Sequence, residues 1–427
     1  MAFEQNNVIL KNNLPDRMRL GITASLYIHI PFCSSFCDYC DFYSITTKNI
    51  NDDYIDAYLD ALIKDIKNQI DFFSIIEIPT IYIGGGTPSV LRRKIKILLD
   101  ELKKIINFSL IKEFTIEANL ESVNEEFLLI CREGGINRLS LGVQTFHEKS
   151  RIAVNRVLDS SILEEKLSLV TRFFKNASLN DTKDSPRNHS ILSIDLISGL
   201  PHQNEEIVLD DIERILKIEP SHVSLYSLCV ENNTPLKEKI KNKTITLPDS
   251  EHSDSLWIIG RGALLKAGFD HYEVSNFSRG GYNCLHNIRY WRMQNWIGAG
   301  PAASGTIIND DNGTAKRFTY ANDIDSYIKA VNKEKNLFFA VWDTPPDAAL
   351  GDTLIYEELN RAALIKDCIL MGFRYKEGPD RLLFKKRFGC EIEECIGNTL
   401  EKWKERDKML FLNSFLCDAF CELDKNL

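Results

Sequence analysis

A rhythm constrains this chain more than any other feature: short apolar stretches alternate with amphipathic helical ones. Strand-like segments fall over residues 25–30, 80–83, 113–118, 138–143, 192–197 and 222–228. After the first of them, Tyr54, Ile55, Tyr58, Leu59, Leu62, Ile63, Ile66 and Ile70 recur at three- and four-residue spacing, which predicts a helix with one buried face. Further helices are predicted over 90–106, 125–132, 161–174 and 205–216. Strands that take turns with helices pair in parallel and carry their crossovers outside the sheet. Six units fall short of a closed eight-fold barrel, so the expected fold is α/β, a partial (β/α)6 TIM-like barrel.

After Asn276 the rhythm gives way to a Gly- and aromatic-rich stretch ending at Gly305, with helical material from Tyr320 onwards. The expected organisation is a polar N-terminal extension (1–24), the barrel with a closing segment (25–305), a connecting region (306–355) and a smaller, mostly helical C-terminal domain (356–427). The polar segment 176–190 reads as a solvated surface loop.

Composition narrows the function classes. With 44% hydrophobic and 26% charged residues, the chain can bury a large core, which excludes disorder as its main state. A net charge of −9 argues against a nucleic-acid partner, because phosphate recognition needs a basic excess. No apolar run reaches the roughly 20 residues of a membrane span, and Glu4, Asn6, Asn7, Lys11 and Asp16 interrupt the start, so neither span nor signal peptide is expected and the location reads as cytoplasmic. Eleven cysteines cannot all pair, and in a reducing compartment they read as metal ligands or core.

Only Cys33, Cys37 and Cys40 crowd together; the other eight read as core filler, and the pairs Cys390/Cys395 and Cys417/Cys421 lack the further ligands of a second metal site. The triad's C-x3-C-x2-C spacing follows directly on the first strand, where loops of an α/β sheet open towards ligands. Such spacing can wrap a [4Fe–4S] cube and leave one iron without a protein ligand; a structural zinc would want a fourth ligand that is not supplied nearby. Gly84, Gly85, Gly86 and Thr87 follow the second strand, where glycines let backbone approach a charged ligand. Polar residues then close later strands in turn: Glu117 and Asn119, Gln144, Arg156 and Asp195, all read as pointing into one mouth.

Taken together, Tyr27-Ile28-His29-Ile30-Pro31-Phe32-Cys33, the Gly-Gly-Gly-Thr-Pro run and Asp195-Leu196-Ile197-Ser198-Gly199-Leu200-Pro201 resemble the radical S-adenosylmethionine (SAM) superfamily, over roughly residues 25–380. The resemblance implies a radical SAM barrel in which Cys33, Cys37 and Cys40 hold a [4Fe–4S] cluster. It also implies SAM at Gly85, Gly86, Thr87, Glu117, Gln144, Arg156 and Asp195, with Tyr27 and Tyr39 as aromatic neighbours of cluster and adenine. Carboxylates suit ribose hydroxyls, and a guanidinium suits a carboxylate.

Within the superfamily, Tyr272-Glu273-Val274-Ser275-Asn276-Phe277 and His286-Asn287-Ile288-Arg289-Tyr290-Trp291 are similar to a haem-chaperone branch and its near relative, oxygen-independent coproporphyrinogen III dehydrogenase. The dehydrogenase carries a fourth cysteine two residues after the third, where this chain has Phe42; the His-Asn-x-x-Tyr-Trp segment belongs to the chaperone branch. That branch implies haem as cargo, haem-accepting respiratory apoproteins at the membrane surface as partners, and an electron donor. The alternative is radical decarboxylation of coproporphyrinogen III. His286 and Tyr290 are the candidate haem residues, with Arg289, Arg292 and Arg317 as propionate partners; otherwise His286 and Tyr290 close the barrel's edge by packing and hydrogen bonds. Ser304 stands where many relatives carry a histidine.

Overall fold

The computed structural model describes residues 21–174, 190–333, 338 and 353–426. All six strand segments form: β1 Ser25–Ile30, β2 Thr80–Gly85, β3 Glu113–Asn119, β4 Arg138–Gln144, β5 Ile191–Ser198 and β6 His222–Ser227. Each pairs in parallel with its successor, with Tyr27 opposite Tyr82 and Gly142 opposite Asp195 among the registers.

The crossovers are helical: α1 Asp52–Phe72, α2 Ile95–Ile105, α3 Glu125–Glu133, α4 Glu148–Ala153, α5 Ser160–Phe174 and α6 Glu205–Ile218, and α7 Pro235–Lys241 and α8 Ser250–Lys266 follow β6. Local sequence fixes their starts. Asn51, Asn124 and Asn204 each accept a backbone N–H of the first turn, and acidic pairs follow at Asp52/Asp53, Glu125/Glu126 and Glu205/Glu206. Caps of this kind are worth about 0.5–2 kcal/mol each. The helix predicted over 90–106 starts only at Ile95, because Pro88–Lys94 winds as a 3-10 segment broken at Arg92, whose φ is +49°.

Side chains alternate strictly across the strands. Leu26, Ile28, Ile81, Ile83, Phe114, Ile116, Leu139, Leu141, Ile194, Leu196, Val223 and Leu225 are buried in one apolar core with the helices. The other face is polar: Ser25, Tyr27 and His29 on β1, Thr80 and Tyr82 on β2, Glu113, Thr115 and Glu117 on β3, Arg138 and Ser140 on β4, Ser193 and Asp195 on β5, and His222, Ser224 and Tyr226 on β6. A polar interior must hydrogen-bond to itself. Here Ser140 donates to Asp195 at 2.9 Å, Ser193 and Tyr272 hold the two nitrogens of His222, and Arg138 pairs with Glu113 at 3.0 Å.

The sheet continues beyond six strands. At one edge come β7 Asp270–Glu273 and β8 Asn276–Ser278, antiparallel. At the other, β9 Trp296–Ala299 runs parallel to β1, followed by the antiparallel β10 Ser304–Asn309, β11 Thr314–Tyr320 and β12 Leu354–Leu359, giving twelve strands in one sheet among the described residues. The boundary drawn at Gly305 therefore falls inside β10, and the expected connector supplies strands. Glycine breaks the apolar pattern here for a steric reason: a Cβ on Gly300, at φ +102°, would lie 2.8 Å from the His29 carbonyl oxygen and 2.7 Å from the Tyr58 hydroxyl. After β12 the chain is helical and builds a second core from Leu364, Ile369, Phe384, Ile396, Trp403 and Phe415. Residues 1–20 of the expected extension and 176–189 of the expected loop lie outside the described residues; Ile22–Thr23 pairs in parallel with Ile75–Glu77.

Candidate functional site

The cysteine loop leaves the carboxyl end of β1 and is tied down on both sides. Phe32–Cys33 pairs with Ile45–Thr46, the Asp38 N–H donates to the Val154 carbonyl at 3.1 Å, and Asn155 Nδ2 donates to the Phe36 carbonyl at 2.7 Å. Lys239 bonds the Asp38 carboxylate. Cys33 is buried, its Sγ 3.5 Å from Thr87 Oγ1. Burial raises its pKa, and it pushes Cys40 up to about 11, with Cys37 and Cys33 adding to the effect. Thiols this crowded give up their protons only to a strong counter-charge, which clustered iron supplies. Among the described residues no group of three His, Cys, Asp or Glu stands positioned to hold a single metal ion.

Gly86 presses on this loop. Its N–H donates to the Ile30 carbonyl and that of Thr87 to the Phe32 carbonyl, both at 2.8 Å, and a Cβ at Gly86 would sit 2.9 Å from Cys33 Sγ.

Beside the loop opens a cavity of about 370 Å³, lined by Cys37, Tyr39, Cys40, Gly85, Gly86, Thr87, Glu117, Gln144, Arg156 and Asp195 together with Asn119, Ser140, Tyr226, Cys229 and Glu231. Glu117 accepts from the Tyr82 hydroxyl at 2.7 Å and the Gly85 N–H at 3.1 Å, and burial raises its pKa to about 7. Burial also raises Asp195, against the hydroxyls of Ser224, Ser140 and Ser193. Gln144 is held at φ +69°, in the left-handed region that non-glycine residues seldom enter. Its neighbours Thr145 and Phe146 are fixed by Asp211, which accepts from the Thr145 hydroxyl and the Phe146 N–H, each at 2.7 Å.

Arg156 departs from expectation in place and partners. It ends no strand but follows α4, donating to the Gly142 carbonyl at 2.6 Å and reaching Cys37 Sγ at 3.8 Å and Glu121 at 3.5 Å. Glu121, Tyr39 and Cys37 outweigh its desolvation and keep it charged.

The remaining predicted residues lie elsewhere. Tyr27 is not among the residues lining the cavity; its hydroxyl bonds His29 Nδ1 at 3.1 Å and its ring stacks on Tyr82. His286 and Tyr290 stand on α9, Leu285–Trp291, at the opposite end of the barrel. His286 is 1% exposed; its Nδ1 bonds Thr80 Oγ1 at 3.0 Å and its Nε2 the Tyr290 hydroxyl at 2.9 Å. Thr80 opens β2 whereas Gly85 ends it, roughly 17 Å of strand further on, and the Tyr82 side chain stands between His286 and the cavity-lining Glu117. The arginines expected to meet propionates have protein partners: Arg289 donates to Ser25 Oγ, Arg292 pairs with Glu377 and Arg317 with Asp367. Ser304 Oγ bonds Thr319 across β10 and β11.

Sequence reasoning passed over Ser140, Tyr226, Cys229 and Glu231. Ser140 and Tyr226 follow the two-residue period of the lumen face, and Cys229 and Glu231 come just after β6, where end-of-strand logic could have found them.

Comparison with known proteins places this geometry in a family. The radical SAM superfamily model matches residues 27–215. The chain is 31% identical to the haem chaperone HemW of Lactococcus lactis over 378 residues, 88% of each chain, and 32% identical to that of Buchnera aphidicola over 395 residues, 92% of this chain and 97% of the relative. It belongs to the HemW branch of the radical SAM superfamily. Among solved structures, coproporphyrinogen III oxidase (HemN) from Escherichia coli, a radical SAM enzyme, shares this chain's fold with a TM-score of 0.73 at 19% identity, covering 97% of this chain and 93% of that one. In this HemW-branch chain Phe42 stands at the cavity rim, 68% exposed. No helix among the described residues is long and apolar enough to cross a membrane.

Proposed function

We propose that the chain is a haem chaperone that holds a [4Fe–4S] cluster on Cys33, Cys37 and Cys40, binds SAM in the adjoining cavity, and carries haem to respiratory apoproteins. The observation that supports this most is the meeting of the cysteine loop with one polar cavity, in a chain of the HemW branch. Bound there, the cluster would supply an open iron for SAM and an electron to its sulfonium. The chain's own residues do the rest. Glu117 and Asp195 offer carboxylate acceptors for hydroxyl or ammonium groups, Thr87 and Asn119 a hydrogen-bonded floor at 2.9 Å, and Arg156 a fixed positive charge beside Cys37. Haem enters this proposal through the chain's relatives, whose names carry it.

The test is anaerobic reconstitution followed by paired assays: haem titration by absorbance, and coproporphyrinogen III turnover with SAM and a reductant. Stoichiometric haem binding without turnover supports the chaperone. Vinyl product at an enzymatic rate replaces it with the decarboxylating enzyme, and an iron signal that survives loss of any one of the three cysteines refutes the cluster assignment.

A further inference from the structure

The His-Asn-x-x-Tyr-Trp segment lies at the end of the barrel remote from the cavity, and its geometry is that of a support. Both ring nitrogens of His286 are engaged, by Thr80 and Tyr290. Burial lowers its pKa to about 3, so the ring stays neutral and its place is set by those two bonds. The imidazole lies tilted by 38° against the Tyr82 ring, the ring centroids 5.3 Å apart. Tyr82 in turn reaches up the lumen and donates its hydroxyl to Glu117 at 2.7 Å, while the other Glu117 oxygen accepts the Gly85 N–H. One unbroken line of contact therefore runs from the barrel's floor to a carboxylate that lines the cavity.

We infer that His286 is a positioning residue for the cavity: by fixing the Tyr82 ring it orients Glu117 towards SAM, and it is not a haem ligand. The inference rests on the SAM-binding part of the proposed function. The Tyr82 ring packs between α9 and Glu117, so removing the imidazole leaves open space beside it and takes the partner from the Tyr290 hydroxyl, although that ring still packs on Trp296. Thr80 keeps its bond to Ser25 in either case, so the floor itself loses little.

The experiment is calorimetric titration of SAM into the anaerobically reconstituted protein, with haem titration by absorbance in parallel. Tyr82→Phe should weaken SAM about tenfold, the order of one hydrogen bond to a charged group. His286→Ala should weaken it roughly three- to tenfold, and the double variant no more than Tyr82→Phe alone, because both act on one contact. His286→Gln, whose amide can both donate and accept, should restore affinity to within about twofold. All variants should bind haem like the wild type. An additive double variant, unchanged SAM affinity in His286→Ala, or a lost haem spectrum in that variant overturns the inference. A wild-type protein that takes up iron but no SAM refutes the proposed function instead.

Discussion

Gly86→Ala isolates the join between cavity and cysteine loop. The new methyl would stand 2.8 Å from the Phe32 carbonyl oxygen, 3.1 Å from that of Ile30 and 2.9 Å from Cys33 Sγ. Two of these neighbours are backbone, and both already accept hydrogen bonds from residues 86 and 87. No side-chain rotation can relieve the clash, so either β2 or the cysteine loop must shift. Overpacking of this kind costs about 1–3 kcal/mol, and the loss of one or two hydrogen bonds about 1 kcal/mol each, for a total of about 2–5 kcal/mol. Native proteins are stable by about 5–15 kcal/mol, so all but the most marginal absorb this cost and still fold. The loop is the more movable partner, and even 1.4 kcal/mol falling on it lowers cluster affinity about tenfold. Iron and sulfide per chain after anaerobic reconstitution, followed by challenge with a chelator, reads this directly. The variant should lose iron at least tenfold more readily than the wild type, with a modest fall in denaturation midpoint. Full iron with unchanged chelator resistance would show that the Gly86 contact does not shape the loop.

Further outcomes can be checked independently. Glu113→Ala leaves the Arg138 guanidinium buried without a counter-charge and strips an acceptor from the N–H groups of Leu285 and His286, so it should cost about 3–5 kcal/mol in chemical denaturation; a loss below about 1 kcal/mol would mean that the pair is not holding α9 in place. Because burial raises Glu117 to about 7 and SAM's donors favour its ionised form, SAM affinity should be full above that pH and fall up to tenfold per unit below it; a flat profile between pH 6 and 8 removes Glu117 from the site. Alkylation of the native protein should mark the exposed Cys229, Cys417 and Cys421 and spare the buried Cys131, Cys284 and Cys368, as mass spectrometry can show; early labelling of Cys131 would contradict the packing of α3.

Six strands and most of their helices were legible because parallel strands announce themselves as apolar runs between amphipathic helices. The cavity was legible for a related reason: residues that end neighbouring parallel strands share a mouth, as Gly86, Glu117 and Gln144 do. Arg156 was misplaced because α4 is only six residues long and leaves a weak periodic signal, so the arginine read as a strand ending. Strands β9 and β10 were missed because close backbone approach there requires glycine, which erases alternation. The polar lumen was readable but unread: Thr80, Tyr82 and Glu113, Thr115, Glu117 alternate openly with apolar neighbours. His286 shows the limit of motif reasoning. Its residue types suit haem or packing equally, and only its place beside Thr80, at the amino end of β2, separates them.

The seating of β9 beside β1 bears on how the protein is made. Ser25 pairs with Trp296, so the strand that carries the cysteine loop gains its second neighbour only when more than half the chain has followed it. At about 5–20 residues per second, synthesis of the intervening segment takes roughly 14–54 s. Closing so long a span is also entropically slow. During that interval β1 is an open edge, although the cysteine loop that follows it already has its neighbours at Ile45–Thr46, Gly86, Thr87, Val154 and Asn155. The strand from which the cysteine loop springs is thus among the first to leave the ribosome and among the last to be paired on both edges.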